Sequence, residues 1–482
     1  MIATESAAGQ SSVEAMREVF ERQGRAQLAE GPPSAAARRD RLNRCIELLV
    51  AHGEAMCDAM AQDFGWRSKD ASRLTDIAAS IAPLKHARAH LEAWMRPERR
   101  KPEFPLGLLG ARAEVRFQPK GVVGVISPWN FPVQLTFGPL AGVLAAGNRA
   151  LIKPSEFTPA TSELMRSLIA GAFADEELAV VPGGAELGAA FAGLPFDHLV
   201  FTGATSIARH VMRAAAEHLT PLTLELGGKS PVVLGQGADL AKAAVRVMTG
   251  KTLNAGQVCL APDYVLAPEG QRDALVAALG EATRKLYPTL KDNPDYTAII
   301  NQRHFERLTG LIEDARQKGA EVVSLNPAGE DFSQQEHRRI PPTLILNPSE
   351  DMRCMQDEIF GPVLPIKTYG RLTEAIDYIN AKPRPLALYY FGADAAEEAA
   401  LLERTTSGGV TLNDVIYHVA QEDLPFGGVG PSGMGAYHGR DGFLEFSHRK
   451  SVFRQIGSEL LAITRPPYGE SFRKLVASRI KS

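Results

Sequence analysis

The sequence predicts an α/β protein in which parallel sheets are covered by helices and the chain divides into two α/β domains. Three observations carry this expectation. A chain of 482 residues exceeds what one hydrophobic core normally organises. From Val122 onward, short apolar runs alternate with helix-length segments, and the same rhythm restarts after the glycine pair Gly227-Gly228. Taken in order, the first hundred residues read mostly as helix, with Leu42, Cys45, Ile46, Leu49 and Val50 at helical spacing within 35–51. Around 96–110 the composition turns to Pro, Arg and Gly, as in a linker or an exposed arm. Strands are expected at 122–126, 150–152, 178–181, 198–201 and 222–226, with helices at 158–172 and 206–218 between them. Beyond Pro231 come a strand at 232–234, a helix at 240–252 and a strand at 264–267.

Bulk properties exclude several classes of function. The formal net charge is -3, which gives no basic footprint for nucleic acid and no polybasic membrane patch. Cysteines 45, 57, 259 and 354 show neither metal-ligand spacing nor a disulfide framework, so no metal is expected and a reducing, cytoplasmic setting is. The first residues carry no basic start followed by an apolar segment, so no secretory signal is read there. Residues 121–148 lack charge, but Pro128, Pro132 and Pro139 interrupt them, and they read as strand, loop and buried helix, not as a membrane span.

Three polar residues stand out, each in its own turn. Cys259 ends the run Leu253-Asn254-Ala255-Gly256-Gln257-Val258-Cys259, Glu225 lies in Leu224-Glu225-Leu226-Gly227-Gly228-Lys229, and Asn130 lies in Pro128-Trp129-Asn130-Phe131-Pro132. A thiol, a carboxylate and an amide are the groups that acyl chemistry through a thioester requires. These segments, with Glu358-Ile359-Phe360-Gly361-Pro362, Pro425-Phe426-Gly427-Gly428 and Ser432-Gly433-Met434-Gly435-Ala436-Tyr437-His438-Gly439, resemble the aldehyde dehydrogenase superfamily. The last of them is similar to its class 3 branch, near which the bacterial coniferyl-aldehyde dehydrogenases belong. The resemblance runs in order from about Ala111 to Ser451.

The resemblance implies a Rossmann-type nucleotide domain at 1–98 and 122–227, a catalytic domain at 228–435, and an oligomerisation arm with a C-terminal tail at 99–121 and 436–482. It also implies a homodimer and oxidation of an aromatic or medium-to-long aliphatic aldehyde, coniferyl aldehyde among them, with NAD or NADP. Cys259 would be the nucleophile, Asn130 an oxyanion donor and Glu225 the base that activates water. Lys153 and Glu156 would hold the adenosine ribose, Gly203 and Thr205 the pyrophosphate at a helix N-terminus, and Trp129, Glu358 and Phe360 the nicotinamide side. An acidic residue at the ribose favours NAD, and the preference stays open.

Blander readings stand beside these. Asn130 also suits a turn asparagine stabilising its own loop, and Glu225 a strand-end carboxylate paired with Lys229. Lys153, Glu156 and Glu358, each alone, read as solvated charges. Cys45, Cys57 and Cys354 read as inert buried thiols. The G-x-G-x-x-G spelling at Gly428–Gly433 lacks a helix start and is rejected as a dinucleotide site. Relatives usually carry glycine where Ala208 stands, which weakens the packing expectation there. Two further functions remain in view: a CoA-acylating dehydrogenase, which needs no water-activating base, and a non-catalytic protein on the same fold.

Overall fold

The computed structural model describes residues 11–104, 106–457 and 459–480. The chain forms two compact units, Met1–Trp94 with Pro119–Ser447, and Met95–Gln118 with His448–Ser482.

The large unit holds two sheets. The first has six strands in the order Gly433–Met434, Leu222–Glu225, His198–Thr202, Val122–Ile126, Arg149–Lys153 and Leu178–Val180. All its pairings are parallel except that of the two-residue edge strand Gly433–Met434. The second has seven strands in the order Glu321–Ser324, Thr343–Leu346, Val363–Tyr369, Tyr264–Pro268, Pro231–Leu234, Ala387–Phe391 and Gly409–Leu412, with only the first pairing antiparallel. Central parallel strands are covered on both faces, so they need continuous apolar runs rather than alternation. Val122, Val123, Val125, Leu151, Leu199 and Val200 are accordingly sealed from solvent.

The helix expected at 35–51 runs on through Ala35–Phe64. Ser34 caps its start by accepting the Ala37 N–H at 3.2 Å, and no proline intervenes before Gly65, whose φ of 74° ends it. The helix after Gly203 is Thr205–Ala216, and its buried stripe is Ala208, Val211 and Ala215. Ile207, apolar as well, is 52% exposed. Ala208 packs into the core that lines the first sheet, so its methyl is accommodated. Residues 436–447, expected with the arm, fold with the large unit: Gly442, on the helix Gly439–Glu445, approaches Gly142 so closely that a Cβ at 142 would stand 3.0 Å from its carbonyl carbon.

The small unit is a three-stranded sheet in the order Glu98–Arg100, Arg112–Pro119, Ser447–Arg454, followed by the helix Glu470–Ile480. It leaves Phe104, Leu108, Phe453, Tyr468 and Ile480 largely exposed. Among the described residues no helix is long and apolar enough to cross a membrane.

The first sheet sets the position of the chemistry. Asn130, Glu156, Gly203 and Glu225 all lie at or just beyond the carboxyl ends of its parallel strands, where open α/β sheets bind ligands.

Candidate active site

The helix Leu240–Thr252 is capped by Asp239 and stops just before the turn that leads to Cys259. Asn254 (φ 49°), Ala255 (φ 53°) and Gly256 (φ 74°) then follow one another in the left-handed region. For the two non-glycine residues that conformation costs roughly 1–2 kcal/mol each. Hydrogen bonds offset the cost. Asn254 Nδ2 donates to the carbonyls of Asn130 at 3.0 Å and Gln257 at 3.2 Å. The sealed Gln257 amide donates to Asn254 O at 2.9 Å and Ala298 O at 3.1 Å, and accepts the Ile300 N–H at 3.0 Å. Only glycine suits position 256, because a Cβ there would stand 2.3 Å from the carbonyl oxygen of Gly361. This turn presents Cys259 partly exposed, whereas Cys45, Cys57 and Cys354 are buried.

Asn130 is held against the same turn. Its Nδ2 donates to Gln257 O at 3.1 Å, which leaves one amide N–H uncommitted. Its carbonyl accepts from Arg67 Nη1 at 2.7 Å as well as from Asn254. Arg67 in turn forms a sealed ion pair with Asp76 at 2.5 Å, and Asp76 Oδ1 accepts the Val133 and Gln134 N–H groups, both at 3.3 Å. These donors open the helix Gln134–Ala145, where backbone N–H groups otherwise lack partners. Asp76 belongs to the π-helical turn Arg73–Ala78, an irregularity that often marks a functional region. The simple turn-asparagine reading therefore does not describe Asn130: its side chain reaches another segment.

Glu225 closes the strand Leu222–Glu225, 1% exposed. The pairing with Lys229 is not formed. Lys229 Nζ binds the Asp263 carboxylate and donates to Cys354 O at 2.6 Å and Asp357 O at 3.0 Å. Neither Glu225 oxygen has an aligned hydrogen-bond partner among the described residues. Burial, with the Glu358 charge adding to it, pushes the Glu225 carboxyl up to about 8, although the nearby Cys259 thiol pulls the other way. Reciprocally, burial and then Glu225 raise the Cys259 thiol well above its ordinary value. The resting pair is thus a neutral thiol beside a carboxyl poised near neutrality.

Glu358 faces them across the cavity. Asp263, fixed by Lys229, accepts the Ile359 N–H at 2.9 Å and so anchors the Glu358 loop. A Cβ at Gly227 would stand 2.1 Å from the Glu358 carboxylate, so glycine leaves that carboxylate its room. Burial first, then Asp263, pushes Glu358 up to about 8. It is therefore no solvated charge. The Phe360 ring meets Trp129 edge-on at 5.4 Å, and Trp129 lies 5.2 Å from His304.

A cavity of about 280 Å³ brings together Trp129, Asn130, Gly203, Glu225, Cys259, Glu358 and Phe360. Lys153 and Glu156 are joined to each other, Nζ to Oε2 at 3.3 Å, outside that lining. The Thr205 hydroxyl is committed to Pro431 O at 3.2 Å. Sequence reasoning missed Thr202, His304 and Arg307, which also line the cavity. The i, i+3 spacing of His304 and Arg307 on the helix Gln302–Gln317 was a signal that they share a face. Arg67, Asp76 and Gln257 had no such signal. A second hollow of about 330 Å³, lined by Phe305, Ile312, Phe332 and Arg339 among others, contains no thiol, carboxylate or imidazole.

A dinucleotide fits the cavity's donor set. Thr202 Oγ1 is buried without a partner among the described residues, Gly203 is followed by a helix N-terminus, and Glu358 offers a carboxylate to a ribose.

The sequence profile of the aldehyde dehydrogenase family matches residues 2–452. The chain is 65% identical over 470 residues to a probable coniferyl aldehyde dehydrogenase of Caulobacter vibrioides, covering 97% of each chain. It is similar to the substrate-bound structure of Staphylococcus aureus AldH, with a TM-score of 0.89 and 36% identity over 96% of this chain and 99% of that one. It is also similar to an NAD-dependent aldehyde dehydrogenase from Sinorhizobium meliloti, with a TM-score of 0.83 and 27% identity over 93% and 88% of the two chains. The chain belongs to the aldehyde dehydrogenase family.

Proposed function

We propose that this dehydrogenase oxidises aromatic aldehydes of the coniferyl aldehyde type to their free carboxylic acids, with Cys259 as nucleophile and NAD, or NADP, as cofactor. The observation that carries the reading is the convergence of Cys259, Glu225 and Asn130 on one cavity from three distant segments. Cys259 sulfur adds to the carbonyl carbon, and the thiol proton passes to Glu225, the carboxylate in reach, and from there to solvent. The free Asn130 N–H and the backbone N–H of Cys259 hold the oxyanion, and one such donor is worth about 2.7–4 kcal/mol. A bound NAD(P)+ supplies the acceptor for the hydride that leaves the former aldehyde carbon. Glu225, again ionised, then takes a proton from water as its oxygen adds to the thioester. The C–S bond breaks and releases the acid.

Trp129, Gly203, Thr205, Glu358 and Phe360 would hold the cofactor, with Lys153 and Glu156 at the adenosine ribose. Glu156 favours NAD there, since a 2′-phosphate would meet a carboxylate. The similarity to a coniferyl aldehyde dehydrogenase supports the substrate. The small unit, with its exposed apolar side chains, would join two copies into a homodimer. We place the enzyme in the cytoplasm.

A spectrophotometric screen of aldehydes of graded length and aromaticity, with each cofactor, tests the function. Coniferyl aldehyde is expected to reduce NAD faster than short aliphatic aldehydes do, with product and rate indifferent to CoA. No cofactor reduction by any aldehyde would end the proposal, and an acyl-CoA product would replace it with the CoA-acylating reading.

The proposed base also fixes a pH dependence. A carboxyl raised to about 8 is protonated below that value and competent above it. Turnover should therefore climb as pH rises through about 8, and Glu225→Gln should lose both that climb and most hydrolysis. A wild-type profile that stays level from about pH 6.5 to 9 would contradict this assignment.

A further inference from the structure

Tyr437 is a buried polar group that the chemistry above leaves unused. Its side chain is 1% exposed, and its hydroxyl has no hydrogen-bond partner among the described residues. Buried hydroxyls are nearly always paired, so an orphan asks for a partner supplied in another state of the site. The Glu225 carboxylate has the Cys259 thiol near it but no aligned hydrogen-bond partner among the described residues.

The backbone that delivers Tyr437 is fastened to the strand that carries Glu225. Gly433 pairs antiparallel with Glu225, and the Leu226 N–H donates to Ser432 O at 3.1 Å. The approach is close enough that a Cβ at Gly433 would stand 2.2 Å from Leu224 O. Four residues on, Tyr437 exchanges both backbone hydrogen bonds with Phe426, at 2.8 and 2.9 Å, and its ring meets that of Phe426 edge-on at 5.6 Å. The side chain is thus held on both backbone and ring. Burial, and then the charges of Glu225 and Cys259, keep the phenol protonated, so it stays a neutral donor.

We propose that Tyr437 is a positioning residue for Glu225, its hydroxyl donating to the carboxylate once that carboxylate has turned from the thiol to take a proton from water. The inference rests on the reading of Glu225 as the hydrolytic base. A donor to the ionised form favours that form and lowers its proton affinity. Tyr437 thereby opposes burial and Glu358, the two influences that raise Glu225, while the Cys259 thiol already pulls it down. Lys229 is engaged at Asp263, and His438, 5.2 Å from the Tyr437 ring, is lowered to about 4 by burial and then by His418, so it is neutral at working pH.

The test is Tyr437→Phe in the full chain, with Glu225→Gln measured alongside. The acid limb of the kcat profile should move up by about one pH unit, which lowers kcat near pH 7 about tenfold. KM for the aldehyde should change less than about twofold, and a burst of reduced cofactor should precede the steady state because hydrolysis becomes limiting. Thermal stability should hold or rise, since the removed hydroxyl had no partner. Incorporating 3,5-difluorotyrosine at position 437, which keeps the ring and strengthens the donor, should move the limb down and covers the case in which Tyr437→Phe fails to fold. An unmoved limb in either protein overturns the inference, as does a fall in stability that accounts for the whole loss of kcat. If Glu225→Gln keeps the wild-type limb, the fault lies with the reading of the base; if it loses the limb while Tyr437→Phe keeps it, only the role of Tyr437 falls.

Discussion

Cys259→Ala is expected to lower aldehyde oxidation by at least about 10³-fold while leaving the fold intact. Cys259 is the cysteine that lines the cavity, and the other three are buried elsewhere. Cys45, Cys57 and Cys354 are buried away from the cavity lining, which leaves each unable to meet an aldehyde bound there. The cost in stability should be small, within about 1 kcal/mol, because a partly exposed sulfur is removed and the hydrogen bonds that hold the turn come from Asn254 and Gln257. Steady-state cofactor reduction and a thermal melt measured on the same preparation check both halves. A variant that retained a tenth of wild-type turnover would remove Cys259 from the chemistry.

The second large effect belongs to a pair remote from the sulfur. Asp76→Ala should destabilise the protein by about 3–5 kcal/mol, because Arg67 keeps its charge in a sealed site and loses its counter-ion. The same change strips the acceptor from the Val133 and Gln134 N–H groups at the head of a buried helix. Turnover should fall with stability, since Arg67 also clamps the Asn130 carbonyl. The double variant Arg67→Met/Asp76→Leu separates the two consequences. An apolar pair of similar volume often restores stability, but it leaves Asn130 O with one donor fewer, so stability should recover while kcat stays low. Chemical denaturation and kcat measured across wild type, Asp76→Ala and the double variant decide the matter. Recovery of both together would reduce the ion pair to a purely structural element.

These two cases mark where the sequence was legible. Cys259 and Asn130 lie in turns and Glu225 at a strand end, each with local spelling, and the cavity gathers them with Glu358 and Phe360. Strands such as Val122–Ile126 were visible because parallel strands covered on both faces must be continuously apolar. Arg67, Asp76 and Gln257 were not, because their partners lie on other segments, 63 residues away for Arg67 and Asn130 and 57 for Asp76 and Val133. A charged residue in a helical stretch reads as surface until the fold supplies its counter-ion. Lys229 misled for the same reason: Glu225 is near in sequence, but Asp263 is near in space. Ile207 lies on the solvent side of its helix because Ala208, Val211 and Ala215 form the buried stripe, a phase that apolar spacing in so short a helix could not set.

The contact between Gly256 and the Gly361 carbonyl has a practical outcome for anyone reshaping this enzyme. It packs the segment that bears the sulfur directly against the segment that bears Glu358, so a side chain added at 256 would push on both. Libraries meant to admit bulkier aldehydes should spare 254–257 and 358–361. They should vary walls contributed by other segments, where a misplaced methyl shifts one surface rather than both reactive ends at once.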